Sequence, residues 1–201
     1  TQMAAEELDP ETIWTGEVEH THTFRAGTHL VASVFGSQIS RLITLSQESM
    51  VLLNFENSAD DVIAAGGELE LRFGAKNGAW WSAAVSGTSV TSDNEEALIN
   101  SVAAVGSIRG HLPLLAERLG VAGEVIYNSP RPRRDGADSN GALIGRLFLS
   151  GRLPAARLLY RVGVTNFLDW DWSVPTSVAH QQQQVQQQER MVHVQMVYEF
   201  D

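Results

Sequence analysis

Met191-Val192-His193-Val194-Gln195-Met196-Val197-Tyr198-Glu199-Phe200 sets the reading of the chain. Val192, Val194, Met196, Tyr198 and Phe200 fall at every second position, with His193, Gln195 and Glu199 between them. Side chains on an extended strand point alternately to opposite faces, so this spacing predicts a strand with one apolar and one polar face. The pattern recurs upstream. In Gly67–Phe73, Leu69, Leu71 and Phe73 oppose Glu68, Glu70 and Arg72. In Arg157–Leu168, Leu158, Tyr160, Val162 and Val164 oppose Arg157, Arg161 and Thr165.

Working outward from these segments, strands are expected near 11–24, 28–45, 62–73, 80–92, 101–113, 119–129, 142–152, 156–168 and 190–200. The run Met50–Phe55 reads as a strand or hairpin arm inside a loop. Helical periodicity is weak; Ala97–Val105, with Asp93 or Asn94 as a cap, is the one stretch that could start a helix, and the Ser and Gly that follow argue against it. The connections alternate in length. Arg25-Ala26-Gly27, Gly74–Gly78, Ala116-Glu117-Arg118 and Leu153-Pro154-Ala155 are short turns; 46–61, 93–100, 130–141 and 169–189 are long polar loops. Short turns at one end and long loops at the other are the pattern of an outer-membrane barrel, whose strands need only roughly 10 residues to cross. The parity of turns and loops holds if 46–61 stays out of the wall. Gln181–Gln188, almost all Gln, reads as a solvated loop.

Composition narrows the function classes. The chain has 201 residues and a net charge of −10, so it has no electrostatic reason to bind nucleic acid, which needs clustered Lys and Arg. With no cysteine, disulfide frameworks and thiolate metal sites are excluded. Thr1–Pro10 carries neither the basic nor the apolar region of a signal peptide, so an exported protein is expected to have lost it or to be longer than this chain. One domain is expected over 1–201. No phosphate-binding loop, zinc-binding His-Glu-His spacing or nucleophile elbow is found, so no enzyme and no cofactor is expected.

A soluble sandwich could use the same strands. Three features favour a membrane. Lys, which soluble sheets place on edges, is nearly absent. Aromatics stand at strand ends, where they meet lipid headgroups: Trp80 and Trp81, Tyr198 and Phe200, with Trp170 and Trp172 at the far end of the 156–168 strand. Strand positions include many Gly and Ala, such as Ala83, Ala84, Gly106, Gly110, Gly123, Gly145 and Gly163.

Several segments, in order, resemble the TonB-dependent receptors of Gram-negative outer membranes. Leu8-Asp9-Pro10-Glu11-Thr12-Ile13 leading into Gly16–Glu19 is similar to that family's "L-x-P-E … E" lead-in, and Arg41–Leu45 to the end of the next strand. Asn54-Phe55-Glu56-Asn57 with Gly66–Glu70 is similar to "F-x-N … G-x-E-x-E". Tyr160–Asp169 resembles the "V-x-N-L-x-D" strand, and Arg190–Phe200 the closing strand. Asn100-Ser101-Val102 lacks the Pro and His of the family's "N-x-P-x-H", and Phe200 is followed by Asp201 where the family ends on the aromatic. The resemblance implies an all-β, antiparallel transmembrane barrel in the cell outer membrane, of which this chain forms the last nine strands. It also implies TonB-energised uptake of a scarce nutrient such as a ferric siderophore. The partners implied are outer-membrane lipid, the remaining barrel and plug, the inner-membrane TonB complex, and an extracellular ligand such as a metal chelate. The alternative is a self-contained small barrel or soluble β-domain.

The candidate ligand-binding residues lie on the long loops. Arg131, Arg133 and Arg134 could meet an anionic ligand, and Asp169, Trp170 and Trp172 form a candidate rim, with Asp171 between the two tryptophans. His20 and His22 share a strand face and could hold a metal with a carboxylate, but they read as two polar or interfacial strand residues, and no metal site is expected. Glu68, Glu70, Arg72, Arg157, Arg161 and Glu199 are expected to face the lumen and pair across strands.

Overall fold

The computed structural model describes residues 8–25, 27–49, 52–93, 98–115, 118–177 and 179–200. Several expectations fall partly on residues outside these: most of the N-terminal segment, Ala26, Met50 and Val51, Asn94 as a cap, Ala116 and Glu117, and Asp201.

The alternating segments become strands β1 (Thr12–Arg25), β2 (Thr28–Ser40), β3 (Ile43–Ser49), β4 (Leu52–Asn57), β5 (Val62–Gly74), β6 (Trp80–Thr91) and β7 (Ala104–Pro113). The series continues with β8 (Gly120–Asn128), β9 (Ala142–Leu153), β10 (Leu158–Thr165), β11 (Ser173–Pro175), β12 (Gln184–Gln186) and β13 (Met191–Tyr198). Nine of them form one antiparallel sheet in the order β1-β2-β5-β6-β7-β8-β9-β10-β13. The long segments expected from the alternation are these nine. Short turns join them at one end and long connections at the other. Gly27, at φ +89°, makes the β1–β2 turn, and its position against the Gly74 carbonyl leaves no room for a side chain.

The expected strand 28–45 is corrected. β2 stops at Ser40 because Arg41 takes a left-handed conformation, φ 58°, which ends the extended run. Ile43–Ser49 then pairs with β4 in a separate two-stranded sheet, so Arg41–Leu45 is no strand end of the wall. The described part of the Met50–Phe55 run, from Leu52 on, supplies a hairpin arm and stays out of the nine-stranded sheet. A clasp holds this hairpin. The Asn57 amide nitrogen donates to the carbonyls of Asp9 at 2.9 Å and Arg41 at 2.8 Å, and its oxygen accepts from the Asp9 N–H at 2.8 Å. Glu11 accepts from the Ile43 N–H at 2.8 Å. Two segments that stand far apart in the sequence, Leu8–Glu11 and Asn54–Asn57, thus meet at one point.

The candidate helix start, Ala97, lies outside the described residues; just after it, Ser101 N–H closes a turn on the Leu98 carbonyl at 3.1 Å, and β7 follows. The Gln tract is also corrected: Gln184–Gln186 is a paired strand, with Val185 opposite Val174, although its side chains remain exposed.

Register settles the two faces. Leu30, Leu71, Ala83, Ile108, Val125 and Gly145 lie across from one another in successive strands, and Phe73, Trp81, Gly110, Gly123, Leu147, Val164 and Val192 form a parallel row. This apolar face is uncovered: Val34 is 62% exposed, Ile108 64%, Val192 70% and Met196 66%. Among the described residues only Val62 and Ala142 are buried apolar side chains. A sandwich buries such faces against a second sheet; here there is one layer and no core. Leaving each large apolar side chain in water forgoes roughly 1.5–3 kcal/mol, so a face this broad needs an apolar surround.

On the polar face, aromatic rings lie over glycines in the facing strand. A Cβ on Gly66 would come 2.7 Å from the Phe35 ring, and one on Gly163 would strike the ring of Phe148. These flat joints let large rings fill a curved wall without lifting the strands apart.

Candidate functional site

The polar face carries a belt of charge across the middle strands. Thr23, His29, Arg72, Ser82, Arg109, Glu124 and Arg146 stand across from one another in register. Glu70, two residues along β5 on the same face, binds Arg72 at 2.5 Å and lies 3.7 Å from Arg109. Arg109 Nε also donates to Ser82 at 3.1 Å, and Arg146 pairs with Glu124 at 2.8 Å. Glu199 binds Arg152 at 2.5 Å near the short-turn end, and Arg161 sits 5.8 Å over the Phe148 ring.

At the long-loop end three connections are stitched into one cap. Asn100, left-handed at φ 64°, donates its N–H to the Pro132 carbonyl at 3.0 Å, and its side chain accepts from Arg131 at 2.9 Å. Arg133 binds Asp135 and reaches the Gln183 side chain at 3.1 Å; Arg134 donates to the His180 carbonyl at 3.2 Å. Trp170 Nε1 donates to the Gly141 carbonyl at 3.0 Å. Buried Asn166 fixes the base of the last loop: its amide bonds the Trp170 carbonyl at 2.9 Å and the Gln188 carbonyl at 3.3 Å, and accepts from Trp170 N–H at 3.0 Å.

The structure therefore joins the loops that carry the two sets of candidate binding residues, while the residues themselves bond other partners. Arg131, Arg133 and Arg134 serve as struts between loops. Asp169 pairs with Arg190 at 3.2 Å, and Asp171 bonds Gln186. Trp172 lines a cleft on the polar face. Of the expected girdle residues, Trp81 lies with Phe73 on the apolar face, ring centroids 6.1 Å apart, and Tyr198 stacks edge-on against Phe200 at 4.8 Å. Trp80 is a correction: one residue before Trp81, it falls on the opposite, polar face, across from His111. His20 and His22 stack at 6.3 Å on the apolar side of β1, next to Phe24. At the outer rim, Gln38 and then Ser40 hydrogen-bond Asp61 and hold its carboxyl below the usual range.

The cleft lies beneath the cap, between the wall and the base of the β10–β13 connection. It has a volume of about 460 Å³, and its lining includes Glu124, Arg146, Phe148, Trp172, Glu189 and His193. Phe148 and His193 face each other at 6.0 Å, and His193 shares a hydrogen bond with Thr165 at 3.1 Å. Sequence reading missed Glu124, Arg146, Phe148 and His193 as a group. Their only signal was their common place on the polar side of four strands, and nothing local marks which strands are neighbours.

One uncovered apolar face, a charged opposite face, and a loop cap at a single end define the class: a wall segment of a transmembrane β-barrel. Solved structures agree. Over 99% of the chain the fold matches the FrpB iron transporter from Neisseria meningitidis (F3-3 variant), with a TM-score of 0.74 and 14% identity. Over 95% it matches the copper transporter OprC, with a TM-score of 0.73 and 14% identity. The chain spans 33% and 31% of those chains, about a third of their length. The fold is thus that of part of an outer-membrane transporter barrel. No protein-family model and no curated protein sequence matches the chain.

Proposed function

We propose that the chain is part of an active outer-membrane transporter that takes up a scarce nutrient, energised by an inner-membrane TonB complex acting through a plug. The observation that carries this reading is the single open sheet, apolar outside and charged inside, that overlays a third of two metal transporters. β1 and β13 each have one partner in the sheet, so both edges invite further strands. That favours the larger barrel over a self-contained small barrel, and the uncovered apolar face argues against a soluble β-domain. A ferric siderophore is the cargo that the family resemblance implies, in keeping with an iron and a copper transporter as structural neighbours. The loop arginines that would attract an anionic chelate are engaged within the cap, so they lend that cargo little support.

The test is to fractionate the source cell and weigh the polypeptide containing Gly163–Trp172. The expected result is an outer-membrane chain several times heavier than 22.0 kDa, whose uptake activity stops when the inner-membrane proton gradient is dissipated. Recovery only in the soluble fraction overturns the reading.

A further inference from the structure

We propose that the cleft under the loop cap takes a neutral, hydroxyl-rich ligand of the oligosaccharide class. The proposal rests on the transporter reading above and names the cargo of that site. A sugar presents an apolar C–H face and a rim of hydroxyls that each donate and accept. A site for it needs aromatic surface beside planar polar groups of both kinds. The cleft has this make-up. Trp172 and Phe148 supply rings; Glu124, Glu189 and Gln188 supply acceptors; Arg146 and Gln188 supply donors; the Thr165–His193 pair supplies either. Its volume, about 460 Å³, falls in the range of roughly 300–1,000 Å³ usual for small-ligand sites.

Charge argues against an anionic cargo here. Two carboxylates, Glu124 and Glu189, are balanced by two guanidiniums, Arg146 and the Arg161 that lies over the Phe148 ring, and Glu124 already neutralises Arg146 at 2.8 Å. An anionic chelate would find no net positive charge there to attract it. The site is also partly built before any ligand arrives. Phe148 lies on Gly163 with Arg161 over it, so it offers the cleft a fixed ring edge, and the Trp172 backbone is fixed by its carbonyl, which accepts from Gln187 N–H at 3.0 Å. A preorganised stacking surface loses little freedom on binding.

The experiment uses the whole outer-membrane polypeptide that carries this chain, purified in detergent and titrated calorimetrically with maltotriose, cellotriose and ferric citrate. At least one trisaccharide is expected to bind, and Trp172→Ala to weaken it about tenfold or more, because the tryptophan's loop bonds run through its backbone and survive the change. Phe148→Leu serves as a second variant that keeps volume but removes the ring, and is expected to weaken binding as well. Each variant is checked for the heat-dependent gel shift of an intact barrel. Failure of an intact barrel to bind either trisaccharide overturns the cargo, as does binding indifferent to both variants or displacement by ferric citrate. Recovery of the polypeptide from the soluble fraction overturns the transporter reading instead, so the two failures are told apart.

Discussion

The two faces of the sheet are built from the same nine strands by alternate residues, yet they obey different rules. The apolar face has few hydrogen-bonding side chains, His20, His22 and Tyr160 among them, and no packed partner; Leu71, Ile108 and Val125 simply stand in one row. The polar face carries a network of particular pairs: Glu70 with Arg72 and Arg109, Glu124 with Arg146, Glu199 with Arg152, Phe35 with Gly66 and Phe148 with Gly163. The difference shows where specificity is written. A fluid lipid surround accepts any apolar side chain, so the outer face needs only greasiness. The inner face needs particular neighbours.

The contrast is broken hardest by charge on the wrong side. Ile108→Arg, at the middle of β7, is expected to destabilise the barrel by about 2–4 kcal/mol. Ser107→Arg, one residue away on the polar face, is expected to cost much less. Urea unfolding of the intact polypeptide in lipid vesicles measures both, and equal losses would mean that the faces are assigned wrongly. Next comes the jigsaw test. Gly163→Val puts a branched side chain where Phe148 lies and is expected to cost about 1–3 kcal/mol by overpacking, whereas Gly123→Val on the lipid side, where a Cβ meets only the Arg146 carbonyl and Leu147 Cδ1 at 3.8 Å, is expected to cost less in the same urea unfolding. The smallest effect belongs to the charged belt. Glu70→Ala leaves Arg72 and Arg109 half exposed to water, so it is expected to cost only about 0.5–1 kcal/mol and to shrink further in high salt.

Much of this was legible in the sequence. The spacing of Val192, Val194, Met196 and Tyr198, repeated in Leu69–Phe73 and Leu158–Val164, was enough for the strands and for which residues share a face within each. The alternation of Gly-containing turns with polar loops was enough for their up-and-down order. Three features were not legible. β2 reads as continuous with Ile43–Leu45, because a left-handed arginine at 41 leaves no mark in hydropathy. Trp80 and Trp81 read as a pair, although neighbours on a strand must point apart. The Gln tract reads as featureless, because its partners, Ser173–Pro175 and Arg133, come from elsewhere in the chain.

The sequence by itself determined the nine wall strands and their two faces, since a period of two is a local property of an extended backbone. Only the tertiary structure decided that the loop arginines are struts, that Leu8–Glu11 meets Asn57, and that Glu124, Arg146, Phe148, Trp172 and His193 line one cleft. Those contacts join residues far apart in the chain. They exist only once each strand has found its neighbour and set its register.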